Sequence, residues 1–173
     1  MKTICLYFEI HQIIHLKRYR FFDIGIDHYY YDDYENERSI TDIAERSYMP
    51  ALETLLDMIK QGNGYFKVTF SISGVGMEQL EMHAPQVIAK LQEINETGCA
   101  EFLAEPYSHG LSSLANEESF AADVKKQCDK MKDYFGKRPT ILRNSSLIYS
   151  DDIGGQVAAM GFKGMLTEGA KHV

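Results

Sequence analysis

The chain has 173 residues, 45% of them apolar, with 18 basic against 25 acidic side chains for a formal charge of −7. That composition can fill one sizeable core, and an acidic balance without any Lys/Arg cluster argues against a nucleic-acid partner. Cys5, Cys99 and Cys128 form an odd set without metal-ligand spacing, so buried reduced thiols are expected; the opening MKTICLYFEI is too short for a signal peptide, no stretch reads as a membrane span, and the expected class is a soluble cytoplasmic domain.

Residues 4–10 read as a first strand. A polar and aromatic segment over 18–39 follows, including DHYYYDDYENE, whose spacing is not that of a calcium loop and which reads as a solvated or substrate-covering loop. A helical pattern then runs over 41–61, with Pro50 either kinking it or opening a second helix, and Gly62-Asn63-Gly64 ends it. Strand two is 66–72. Residues 78–97 are helical with a restart at Pro85, Gly98 closes them, and strand three follows over 99–104.

Asn116 before two glutamates starts a helix whose apolar face is Phe120, Val124, Cys128, Met131 and Phe135. Residues 140–142 form strand four, Ser150 opens a short helix ending at Gly161, and 162–166 form strand five. The alternation predicts an α/β fold with a parallel sheet covered by helices, barrel or doubly wound, in one domain.

Chemistry in such folds collects where the strands end. After strand one come Glu9, His11 and Gln12, with Glu9 and His11 on one face by alternation. Strand two leads to SGVGMEQ with Glu78, strand three to Glu105, strand four to Arg143 and Asn144, and strand five to Glu168. SGVGMEQ lacks the lysine of a phosphate loop and the dinucleotide pattern, and Ser108 lacks a nucleophile elbow. His11 and His15 are four apart but leave a strand rather than share a helix face, so neither metal nor cofactor is expected.

A rim of carboxylates, His, Asn, Gln and Tyr suits a sugar, and glycosidic cleavage requires two carboxyl groups. Glu105, at the end of FLAEP, is the candidate for one of them. Its bland alternative is a strand-end carboxylate that caps a helix or pairs with Arg143.

The segments FEIHQ, LKRYRFFDIG, SGVGMEQLE, EFLAEPYSHGLSSL, LRNSSLIYSDDIG and MLTEGA, in that order over nearly the whole chain, resemble glycoside hydrolase family 57, the α-amylase and 4-α-glucanotransferase family. The α-amylase-like members are the nearest. The resemblance implies an incomplete seven-stranded (β/α) barrel, present here as about five strands and four or five helices, with residues 1–173 as the N-terminal portion of its catalytic domain. It also implies retaining hydrolysis of α-1,4-glucans or maltooligosaccharides through a covalent glycosyl-enzyme intermediate, without a cofactor.

The family's His-Gln-Pro motif falls on His11 and Gln12, with Ile13 in the proline's place; its second motif puts a glutamate at Glu78, and its nucleophile lands on Glu105. Tyr107, His109, Arg143 and Asn144 would complete the substrate contacts. The family's acid/base is an aspartate on a later segment, so a chain ending at Val173 is expected to be a piece of a longer enzyme and inactive alone. Three other readings stay open: a 4-α-glucanotransferase, a polysaccharide deacetylase-like esterase, which needs a metal held by Asp and two His, and a noncatalytic glucan-binding remnant. The sequence sets no oligomeric state.

Overall fold

The computed structural model describes residues 4–169; Ala170 of the last family segment and Val173 lie outside them. Three strands, β1 (Tyr7–Ile10), β2 (Val68–Ile72) and β3 (Ala100–Leu103), pair in parallel in the order β1-β2-β3. Two shorter ones, β4 (Ile141–Arg143) and β5 (Gly164–Leu166), form a second parallel pair. A bridge between Ala104 and Leu142 carries the order on from β3 to β4. The five strands fall at the expected places, with β1 starting three residues later and β2 and β5 two residues later than the alternation placed them. They form two small parallel sheets, so the α/β class holds, while a barrel is not what these sheets by themselves display.

Side-chain alternation sorts the strands into two faces. Phe8, Phe70 and Phe102 stand in register on one face, with ring centroids 5.8 and 5.7 Å apart, and Phe135 stacks on Phe102 at 4.0 Å. The other face carries Tyr7 and Glu9 of β1 and Ser71 of β2, whose Oγ lies 2.7 Å from the Tyr7 hydroxyl, beside Leu103 of β3. The same alternation aims His11, Ser73, Glu105 and Arg143 from that face, at the strands' carboxyl ends.

The helices depart from expectation mainly at their starts. Helix α1 spans Asp33–Ile43 and begins inside the acidic segment, because the Asp32 side chain accepts from the Glu35 amide and fixes the first turn. It runs through a π turn, Ala44–Tyr48, into α2 (Met49–Gln61) without leaving helical backbone, so Pro50 stands inside one continuous helical run directly after the π turn, where helices bend. Ser73 caps α3 (Gly74–His83) by accepting from the Gly76 amide, so this helix also starts earlier than its apolar pattern suggests. Helix α4 (Pro85–Glu96) restarts at the proline as predicted.

A single turn, α5 (Ser112–Ala115), precedes α6 (Glu117–Phe135), which Asn116 caps and Gly136, at φ 78°, terminates. Ser150 caps α7 (Asp151–Ala159).

Two apolar clusters result. The larger packs α1–α4 and the end of α6 on β1–β3 around Phe70, Ile72, Leu80 and Leu91; the smaller joins α6 and α7 to β4 through Phe120, Val124, Leu142 and Ile153. The cysteines correct the expectation. All three are free thiols, but only Cys128 is buried, and burial pushes its pKa up to about 11; Cys5 is exposed because β1 begins at Tyr7, leaving it outside the strand, and Cys99 is intermediate. Among the described residues no helix is long and apolar enough to cross a membrane.

Candidate functional site

The carboxyl ends of β1, β3 and β4 bring five ionisable groups into one cluster. Glu105 follows β3 through Ala104, whose backbone is locked between Ile141 and Arg143 by bonds of 2.9 and 2.7 Å. Its side chain is wholly buried, and neither carboxylate oxygen has a hydrogen-bond partner. Burying an ionisable group without partners costs free energy, so such a group marks a place where local stability is subordinate to something else.

The loop beyond Pro106 turns back on itself. The His109 amide donates to the Pro106 carbonyl at 3.0 Å, and His109 takes a left-handed backbone, φ 53°. That turn sets His109 Nδ1 3.6 Å from Glu105 Oε1 and 3.4 Å from Glu9 Oε1. Glu9 Oε2 accepts from Arg143 Nη2 at 2.8 Å. Arg143 is 5% exposed, and its Nε and Nη1 lack partners. The guanidinium thus answers Glu9 rather than Glu105, against the bland reading of Glu105 as its ion-pair partner.

His11 completes the cluster from above β1. Its ring stacks on His109 with centroids 4.2 Å apart, and its Nδ1 is hydrogen-bonded to Ser73 Oγ at 2.7 Å. Burial lowers the His11 pKa below the usual histidine value; His109 and Arg143 add to the effect and Glu105 opposes it.

Other expected contacts lie elsewhere. Glu78, on α3, accepts from the Tyr107 hydroxyl, and the Tyr107 ring packs flat on Gly74, beneath Lys126 Nζ at 3.6 Å. Burial first and the Glu78 carboxylate second push the Tyr107 pKa far up, so this phenol stays a donor. Glu78 also lines a groove of about 240 Å³ with Tyr29, Tyr31, Asn36 and His83. Gln12 donates to the Tyr48 hydroxyl at 2.9 Å. Asn144 is consumed locally: it caps the turn after β4 and donates to Ser113 Oγ and the Ile148 carbonyl, each at 2.9 Å.

The structure therefore joins His11, His109, Glu105 and Arg143 and sets Glu78 with Tyr107. Glu9, singled out only by strand alternation, proves to be the hinge of the cluster. Among the described residues, Glu9, Glu105 and His109 have ligand-capable atoms that all lie within 4.8 Å of one another. His11 and His15 do not share such a group; the His15 carbonyl and amide are engaged by Asn36.

Comparison with known proteins bears on what this cluster serves. The family model described as glycosyl hydrolase family 57 matches residues 5–173. A protein named "Putative alpha-amylase" from Methanocaldococcus jannaschii is 32% identical over 145 residues, 83% of this chain and 31% of that protein. Among solved structures, a 4-alpha-glucanotransferase from Thermococcus litoralis superimposes with a TM-score of 0.70 at 14% identity, over 93% of this chain and 22% of that one. A chitin deacetylase from Colletotrichum lindemuthianum gives a TM-score of 0.54 at 17% identity, over 66% of this chain and 48% of that one. At these identities both structures speak for the fold alone. The chain spans about a third of the curated relative.

Proposed function

This chain belongs to glycosyl hydrolase family 57, and from that premise we propose that it is the nucleophile-bearing N-terminal portion of a (β/α)-barrel domain that cleaves α-1,4-glucans with retention. In this reading the five parallel strands, which follow chain order across the Ala104–Leu142 bridge, would supply that part of the barrel wall. One observation carries the reading: Glu105, at the carboxyl end of β3, is fully buried with both oxygens unengaged.

A carboxylate can attack an anomeric carbon only from an oxygen with a lone pair to spare, and neither Glu105 oxygen accepts a hydrogen bond, with His109 Nδ1 standing 3.6 Å from Oε1. The positive charge of Arg143 sits one carboxylate away, on Glu9, and leaves Glu105 uncommitted. In a retaining enzyme a second carboxyl about 5–5.5 Å from the nucleophile protonates the departing oxygen. We assign that acid to residues outside this chain, and Tyr107, His109, His11, Gln12, Glu78, Arg143 and Asn144 to the surroundings of the sugar. An Asp-His-His metal set, which a deacetylase-like esterase requires, has no support among the described residues, whose one converging group is two glutamates and a histidine.

The test uses a fluoro-substituted maltosyl fluoride, whose leaving group departs without a proton and so needs no acid/base. Intact-mass and peptide analysis should find one glycosyl group on the peptide containing Glu105 in the wild-type protein and none in Glu105→Gln, which is nearly isosteric. Maltooligosaccharide binding, followed by calorimetry, should survive that substitution. A label on another residue, or equal labelling of the variant, overturns the assignment.

A further inference from the structure

We propose that Glu9, Glu105 and His109 also form a binding site for a divalent first-row metal ion, best matched by Zn²⁺, and that occupancy silences the site. The binding half stands on geometry alone; the silencing half rests on the role proposed above for Glu105.

Two of the three ligand separations fit the ion. Zinc binds histidine nitrogen and carboxylate oxygen at about 2.0–2.2 Å, and ligands at the corners of a tetrahedron of that radius are roughly 3.3–3.6 Å apart. His109 Nδ1 stands 3.4 Å from Glu9 Oε1 and 3.6 Å from Glu105 Oε1, and one ligand-capable atom of each of the three residues lies within 4.8 Å of the others, so the two carboxylates need only close in on the ion. Three protein ligands leave a fourth tetrahedral corner for an exchangeable ligand, as in zinc sites that keep such a position.

The donors are also of the right kind and are held in place. Imidazole with carboxylate suits Zn²⁺ and Co²⁺ better than Mg²⁺ or Ca²⁺, which prefer oxygen alone. Arg143 grips the outer oxygen of Glu9 and leaves Oε1 facing His109. Stacking on His11 and the left-handed turn fix the plane of His109. Such outer contacts are what orient metal ligands.

A cluster of acids alone would say little. The independent pointer is Glu105, whose wholly buried carboxylate lacks any hydrogen-bond partner, as does His109 Nδ1. A cation seated between them would answer both at once. Two carboxylates and one guanidinium leave a formal −1 around the ion, so binding will be weaker than in an all-anionic cage. On the ion, the lone pair of Glu105 Oε1 is withdrawn from any sugar, and metal and substrate exclude each other.

The experiment is calorimetric titration of the metal-stripped protein with ZnCl₂ near neutral pH, beside His109→Asn and Glu9→Gln. Asparagine tolerates the left-handed backbone at 109 while removing the imidazole. Wild type should take up one equivalent, and each variant should bind at least about ten-fold more weakly. His28→Ala, at an exposed position, should match wild type. Co²⁺ should give the intense visible absorption of a four-coordinate site, lost in the same two variants. Circular dichroism establishes that each variant is folded. No zinc uptake by folded wild type, or unchanged affinity in both variants, overturns the site. With the fluoride reagent, Zn²⁺ should suppress labelling of Glu105 and a chelator restore it. Labelling that ignores bound zinc removes the silencing, while zinc uptake without labelling in chelator leaves the metal site standing and removes the nucleophile.

Discussion

The sheet of β1–β3 and the pair β4–β5 differ in how firmly they are held, although both contribute to the same cluster. In the first, Phe70 is flanked by Phe8 and Phe102 and covered by four helices, and every residue of β1 pairs with one of β2. In the second, two three-residue strands rest on a smaller cluster around Phe120 and Leu142, and a bridge at Ala104 joins them to β3. Arg143 comes from the weaker unit and Glu9 from the stronger one, 134 residues away in sequence. The charge balance around Glu105 therefore depends on a seam between two apolar clusters that share helix α6. This is a common arrangement for a site that must be both held and adjustable, since the elements that move are drawn from the less stable regions.

The largest effects should come from emptying each core. Phe70→Ala, at a 1% exposed position, should cost about 3–5 kcal/mol and lower protection from hydrogen exchange throughout the chain. Leu142→Ala, fully buried in the smaller cluster, should cost about 2–5 kcal/mol, with the lost protection concentrated in β4, α7 and β5. Exchange read by mass spectrometry decides between the two patterns. If Leu142→Ala weakened β1–β3 as much as β4–β5, the chain would be a single cooperative body and the contrast would fail.

A smaller effect sharpens the contrast from inside the stronger unit. A Cβ on Gly74 would lie 2.1 Å from the Tyr107 ring, far inside contact distance. Gly74→Ala should therefore push Tyr107 off α3, break its bond to Glu78 and cost about 1–3 kcal/mol. The loop carrying His109 follows directly, so zinc affinity should also fall. Unchanged urea midpoint and metal binding in this variant would show that the Tyr107 seat does not position the loop.

What the sequence disclosed, and what it hid, follows from the range of the forces involved. Strand positions were legible because alternation is local: Glu9 and His11 were placed on one face from spacing alone, and so they stand. Helix starts were less so. Asp32 and Ser73 each begin a helix through one side-chain bond to a backbone amide, a signal masked in one case by a run of acids and tyrosines and in the other by glycines. Partnerships were the least legible. Nothing local announces that Arg143 will choose Glu9 over Glu105, or that Glu78 will turn to Tyr107, because each choice rests on the register between strands and the path of one loop. Strand-end position pointed to Glu105, His11 and Glu9 alike, and the family resemblance added roles for the first two but not for Glu9.

The smallest effect concerns pH and the stacked histidines that tie β1 to the loop after β3. His11 is held below the ordinary histidine value, by burial first, then by the charges of His109 and Arg143, with Glu105 pulling the other way. An unfolded chain takes up the proton near pH 6.5, the folded chain only at lower pH. Between those two values the unfolded state binds more protons, so the stability contribution is complete above about pH 6.5 and declines as pH falls toward the folded pKa. Replacing His11 by glutamine keeps a polar group within reach of Ser73 Oγ while deleting the titration. Urea midpoints at about pH 7.5 and 5.5 should therefore drop more in wild type than in His11→Gln, the difference between the two slopes being the histidine's share. Parallel slopes would mean that His11 titrates in the folded chain as it does unfolded, and that its stacking on His109 is not felt by the proton equilibrium.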